Sequence, residues 1–257
     1  MQIVALQYDI VWQEPEKNRL KISDLLKNIE IPKGSLIVLP EMHDVGFSMD
    51  VKKTAQTKER LSEVFLKGIA EKYKSCVVAG VVSEPIGKRA ANECVAYAED
   101  KDKIVRYRKM HPFSLSNEKD SYIAGDSQKT FLYNDYKITP LICYDLRFPE
   151  VFRYAAKEGT QIFTVIANWP AKRRDHWLTL LKARAIENQA YVVGVNRCGT
   201  DPKLDYSGDT IIFSPTGKCL AKLGDEEQVL VHEIDKESLL KLRESFPVLK
   251  DAIHLIT

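Results

Sequence analysis

Long apolar runs are missing from this chain of 257 residues: no stretch of roughly 18 or more hydrophobic residues occurs, so no segment is expected to span a membrane. Cysteine is sparse and scattered. Cys76, Cys94, Cys143, Cys198 and Cys219 include no C-x-x-C pair, which argues against a zinc ribbon or a thioredoxin-like site and favours a reducing cytoplasm. The five histidines (43, 111, 176, 232, 254) never fall at metal-ligand spacing, so no metal is expected. Neither the dinucleotide fingerprint nor the P-loop is present, and there is no G-x-S-x-G elbow. The net charge of +2 gives no global field for nucleic acid or acidic lipid. Met1 to Ile10 lacks a basic leader region, so no secretory signal is expected.

What the chain does have is a repeated strand–helix rhythm. Ile3 to Leu6, Ser35 to Leu39, Cys76 to Val82 and Asn92 to Ala98 read as strands, the first three as apolar runs of the kind buried on both faces. Ile22, Leu25, Leu26 and Ile29 form a helical stripe with Pro15 in the first turn, and Leu61, Val64, Phe65, Gly68 and Ile69 mark a second. Arg108 to Gln128 is polar, turn-rich and long for a loop without function. Strands then recur at Tyr136 to Cys143, Gln161 to Ala167, Tyr191 to Asn196, Asp209 to Ser214, Cys219 to Leu223 and Val229 to Glu233. Helices are read at Pro149 to Lys157, His176 to Gln189 and Lys236 to Glu244. This is an α/β chain, expected to form a single domain over 1–257 with helices covering sheets.

Three segments place a reactive side chain at a strand end, where α/β folds bind ligands. Glu41 follows the strand in Leu39-Pro-Glu-Met-His-Asp-Val-Gly-Phe47. Lys109 enters the long loop in Arg108-Lys-Met-His-Pro-Phe113. Cys143 closes a strand in Leu141-Ile-Cys-Tyr-Asp-Leu-Arg-Phe-Pro-Glu150. Each has an ordinary reading: a solvated acid, a strand-edge lysine, a small buried hydrophobe. Jointly they form a set of nucleophile, base and electrophile. A thiol needs a base, and a developing oxyanion needs fixed donors, here an ammonium and the Tyr144 backbone N–H.

The three motifs, in this order, resemble those of the nitrilase superfamily of carbon–nitrogen hydrolases, over about Gln2 to Ile234. The resemblance implies a four-layer α-β-β-α sandwich with two mixed sheets, a Glu41-Lys109-Cys143 triad, and a catalytic Glu118 in Asn117-Glu-Lys-Asp that orients the lysine and helps position the substrate. Asn168-Trp-Pro-Ala-Lys-Arg-Arg-Asp-His-Trp177 and the run from Lys182 to Val192 resemble the bacterial omega-amidase branch. That branch implies hydrolysis of the terminal amide of 2-oxoglutaramate or 2-oxosuccinamate through a Cys thioester, without a cofactor, in a homodimer paired through outer helices. Arg173 is then the candidate carboxylate grip with Arg174 its rival, Trp169 a pocket wall, and His176 a residue that orients the site or caps the following helix. Lys172 departs from the branch and leaves substrate choice open. Another amidase of the superfamily, acting on an aliphatic amide, an N-carbamoyl compound or a nitrile, remains an alternative, as does a binding protein without chemistry.

Overall fold

The computed structural model describes residues 1–252, with the side chains of residues 101–103 left aside. Its strands are β1 (Gln2–Gln7), β2 (Leu36–Val38), β3 (Cys76–Val82), β4 (Asn92–Ala98), β5 (Lys101–Arg108), β6 (Phe131–Tyr133), β7 (Tyr136–Ile142), β8 (Ile162–Ala167), β9 (Tyr191–Asn196), β10 (Cys198–Thr200), β11 (Asp205–Ser207), β12 (Ile211–Phe213), β13 (Cys219–Lys222) and β14 (Gln228–Glu233). Its helices are α1 (Pro15–Lys27), α2 (Val51–Thr54), α3 (Leu61–Tyr73), α4 (Glu118–Ser121), α5 (Pro149–Lys157), α6 (Arg174–Asn188), α7 (Lys236–Ser245) and α8 (Val248–Asp251).

Two six-stranded mixed sheets run in the orders β14-β1-β2-β3-β4-β5 and β13-β12-β9-β8-β7-β6. The shared rhythm of the two halves has a structural counterpart: each sheet has three parallel strands, β1-β2-β3 and β7-β8-β9, flanked by antiparallel ones. Alternation along the first sheet divides its side chains. Val4, Leu6, Ile37, Val77 and Ala79 pack outward against Ile22, Leu26, Leu66 and Ile69 of α1 and α3. Ile3, Ala5, Leu36, Val38 and Val78 pack inward, in one core with Ile138, Ile142 and Ile166 of the second sheet. Trp177, Leu181 and Ala185 of α6, with Phe152 and Ala155 of α5, cover that second sheet from outside. Strands buried on both faces explain the near-continuous apolar runs.

Pro140 lies inside β7 without breaking the sheet. It pairs with Thr164 of β8, while β6 reaches only as far as Ile138, so the missing N–H falls where no second ladder runs. Three details differ from the sequence reading. The α3 stripe is rotated: Leu61 and Val64 are exposed, and Leu66, Ile69 and Ala70 are buried. The segment 108–128 is not a plain loop but holds a 3-10 turn at Ser114–Ser116 and α4. The short strands β6, β10 and β11 give no pattern long enough to read.

Candidate active site

The carboxyl ends of the parallel strands of both sheets meet at one edge. Glu41 follows β2, Cys143 follows β7 and Asn168 follows β8. Lys109 leaves β5 and Asn92 begins β4 at the same edge, since these two strands are antiparallel. Glu118 opens α4. The structure brings Glu41, Lys109, Cys143 and Glu118 together.

Lys109 is at the centre. Its Nζ donates to Glu41 Oε1 at 2.9 Å and to Glu118 Oε1 and Oε2 at 3.0 and 2.9 Å. The ammonium and both carboxylates are fully buried. Burial alone would push the Lys109 amine down, but Glu118 and Glu41 outweigh it and hold the ammonium well above its usual range. A buried charge survives only when paired this closely. The remaining Glu41 acceptors are also used. Asn92 Nδ2 donates to Oε1 at 2.7 Å, and the Asn168 backbone N–H donates to Oε2 at 2.9 Å.

Cys143, at 9 % exposure, is the most open of the four. It sits at the turn between β7 and a 3-10 helix (Cys143–Arg147), with φ of +47°. A non-glycine residue in this region is a strained one, and such strain collects where a side chain must be aimed. Burial, then the Glu41 charge, push its thiol well above the usual range, against the pull of Lys109. Glu41 is also the hydrogen-bond partner of this side chain. Asp145 fixes the turn to the lysine segment. Its carboxylate, wholly buried, accepts from the Ile142 N–H (3.0 Å) and Tyr107 Oη (2.7 Å) on one oxygen, and from the His111 N–H (3.1 Å) and ring on the other.

Cys143 opens on a narrow inner cavity of about 30 Å3, room for about two waters, lined also by Phe47, Phe113, Tyr144, Arg147, Asn168, Trp169, Pro170, Arg173 and Leu204. Phe47, Phe113, Arg173 and Leu204 continue into an outer vestibule of about 520 Å3 that includes Trp12, Met49, Lys172 and Lys203. Tyr144 packs edge-on against Phe113 and Phe148. Trp169 is buried, and its Nε1 donates to the Arg173 carbonyl at 2.7 Å.

The candidate cations separate. Arg174 turns away and grips Asp209 through Nε (2.5 Å) and Nη2 (2.8 Å), so it is not the cavity's cation. Arg173 faces the cavity, its guanidinium 5.2 Å from the Phe113 ring centre. His176 does not line the cavity and does not cap α6, since it lies inside the first turn; it is exposed, with Nδ1 3.2 Å from Arg147 Nη2. Arg147 was not singled out from the sequence, although it lies within the Cys143 motif. It stacks 4.8 Å from the Trp169 ring and lines the same cavity. Burial, then Arg147, hold the Arg173 guanidinium below its usual range. Among the described residues neither arginine meets a carboxylate.

Gly80 of β3 was also passed over. A Cβ there would lie 2.5 Å from Glu41 Cα and 2.5 Å from Met42 N. Glycine thus lets the Glu41 turn lie directly on β3, where Gly80 N donates to the Pro40 carbonyl and His43 N donates to the Gly80 carbonyl. Only its position inside an apolar strand could have drawn attention to it.

The carbon–nitrogen hydrolase family model matches residues 2–244. The chain belongs to the carbon–nitrogen hydrolase family. It is 35 % identical to a 2-oxoglutaramate amidase of Bacillus subtilis over 252 residues, covering 97 % of this chain and 96 % of that one. It is 34 % identical to an omega-amidase of Yersinia enterocolitica, covering 98 % and 96 %. Among solved structures, a CN-hydrolase superfamily protein from Xanthomonas campestris with an arsenic adduct in its active site superposes with a TM-score of 0.92 at 28 % identity, covering 100 % of this chain and 98 % of that one. This carbon–nitrogen hydrolase thus stands in the nitrilase superfamily beside omega-amidase-like members. Its two mixed sheets flanked by helices are the architecture that the resemblance implied.

Proposed function

We propose that this carbon–nitrogen hydrolase is an omega-amidase that releases ammonia from 2-oxo-dicarboxylate monoamides, 2-oxoglutaramate or 2-oxosuccinamate. The observation that carries the reading is the juxtaposition of a buried Glu41–Lys109–Cys143 cluster with two guanidiniums, Arg147 and Arg173, that meet no carboxylate among the described residues, on one cavity. The cluster suits acyl transfer. The two cations suit the carboxylate at the far end of the substrate, since an anion between them would relieve their mutual repulsion and gain charge-assisted hydrogen bonds. The amidase relatives support the same reading.

In the proposed cycle Glu41 takes the Cys143 proton as sulfur attacks the amide carbon. Two of the three Lys109 contacts go to one carboxylate, that of Glu118, so a shared N–H there leaves another for the oxyanion beside the Tyr144 N–H. One such donor contributes about 3–4 kcal/mol of barrier lowering. Glu41 returns the proton to the nitrogen, which leaves as ammonia with rupture of the C–N bond. Water then attacks the thioester and gives Glu41 a proton. The C–S bond breaks, that proton restores the thiol, and the oxo-dicarboxylate departs. Glu118 holds Lys109 in place.

A reducing cytoplasm and a homodimer belong to the same proposal. Cys94, Cys143, Cys198 and Cys219 carry free thiols, and Tyr154 of α5 and Ile186 of α6 leave apolar surface on the outer helical layer. Sedimentation should give twice the chain mass, and a monomer would remove the dimer. Activity is tested by ammonia release from 2-oxoglutaramate, succinamate and a simple nitrile. Cys143→Ala should retain its fold and lose all turnover. Turnover in that variant, or no oxo-acid amide turned over by the wild type, would refute the function.

A further inference from the structure

Asn92 touches three of the four clustered residues. Its side-chain Nδ2 donates to Glu41 Oε1 at 2.7 Å and to Glu118 Oε1 at 2.9 Å, and its backbone carbonyl accepts from the Lys109 N–H at 2.9 Å. It is buried, as is every atom it meets there. The orientation of the amide follows from chemistry: turned over, its oxygen would face two carboxylate oxygens. Those oxygens are near neighbours, since each also accepts from Lys109 Nζ. Two carboxylates so placed tend to share a proton, which would leave one of them unable to accept another. An amide that gives one N–H to each favours the unprotonated form of both.

We propose that Asn92 is a positioning residue that holds Glu41 as a proton acceptor by preventing Glu41 and Glu118 from sharing a proton. The inference rests on the proposed role of Glu41 as base. The groups facing Glu41 are Lys109, Glu118 and Cys143, with the phenols of Tyr122 and Tyr206 further off and the neutral amides of Asn92 and Asn168 in contact. Loss of the Asn92 donors leaves Lys109 as the one group that bridges the two carboxylates, with the Asn168 N–H on Glu41 and the Phe113 N–H on Glu118 each serving a single carboxylate.

The test compares the pH dependence of kcat/KM for wild type, Asn92→Leu and Asn92→Ser, alongside the pH dependence of Cys143 alkylation by iodoacetamide. Asn92→Leu should move the acid limb of kcat/KM upward by about one to two pH units, the effect of losing a hydrogen bond to a charged group, with little change in KM. Asn92→Ser, which retains a single donor, should fall between. A uniform loss of rate with the limb in place would mean that Asn92 only supports the fold, and the proposal fails. If Asn92→Leu does not fold, the limb of Asn92→Ser decides in the same way. If the wild type hydrolyses no amide, the functional reading fails separately. The alkylation profile then decides: a limb displaced upward in the variants upholds the role of Asn92, and coincident curves overturn it.

Discussion

Gly80→Ala should disable the enzyme while leaving most of its fold intact. Gly80 has no left-handed backbone to protect, so alanine meets no conformational obstacle and only space matters. The new Cβ would stand 2.5 Å from both Glu41 Cα and Met42 N, and these are backbone atoms that no rotamer change can clear. Ordinary contact begins at 3.4 Å, so the turn must retreat from β3. That retreat is roughly 1 Å, and a misplacement of that size lowers a catalysed rate by about a hundredfold. Overpacking of this kind costs about 1–3 kcal/mol, which in a chain of this size lowers Tm by roughly 2–4 °C per kcal/mol. Ammonia release from 2-oxoglutaramate reads kcat, and a thermal melt reads the stability. A variant with kcat within twofold of wild type and an unchanged Tm would show that contact with β3 does not fix the base, and the reasoning would fall.

Arg147→Met and Arg173→Met should each lower kcat/KM for 2-oxoglutaramate by about 10–100-fold, and change that for a neutral amide only a few-fold. Arg174→Met should leave this selectivity alone and lower Tm instead, because it removes one of the two cationic partners of buried Asp209; a selectivity change there would reverse the assignment. Asp145→Asn should destabilise by about 1–3 kcal/mol, since the amide nitrogen cannot accept the bonds that one carboxylate oxygen now takes, and denaturant melts check it. For Asp209, burial raises the carboxyl pKa, but hydrogen bonds from Arg174 and Lys222 outweigh it and leave it below the usual range. A depressed folded-state value adds stability above the unfolded value of about 3.9 that fades as the pH falls towards the folded one. The Tm gap between wild type and Asp209→Asn should therefore be wide at pH 7 and shrink below about pH 4; a gap that stays constant with pH would contradict this.

Much of this site was legible because reactive side chains at strand ends stand out against apolar runs. Glu41, Lys109 and Cys143 each interrupt such a pattern. Asn92 and Gly80 do not. Their significance depends on β4 and β3 lying beside the Glu41 turn, pairings between segments 51 and about 40 residues apart that periodicity does not reveal. Arg147 was visible within its motif, yet only folding shows that its guanidinium reaches the Cys143 cavity while that of Arg174 turns to Asp209. His176 lies outside the cavity and meets it only through Arg147, because the helical turn that carries it points it to solvent. The α3 stripe misled because Leu61 and Val64 have the right spacing but lie on the outward side; composition marks a helix face without saying which way it turns.

The proposed base and nucleophile hang from different sheets, Glu41 from the first and Cys143 from the second. Their alignment therefore depends on how two slabs are stacked, and no single slab holds it. A slip of one slab over the other, too small to expose the core, would separate acid from sulfur. Mild heat or pressure should accordingly silence such an enzyme before its strands come apart.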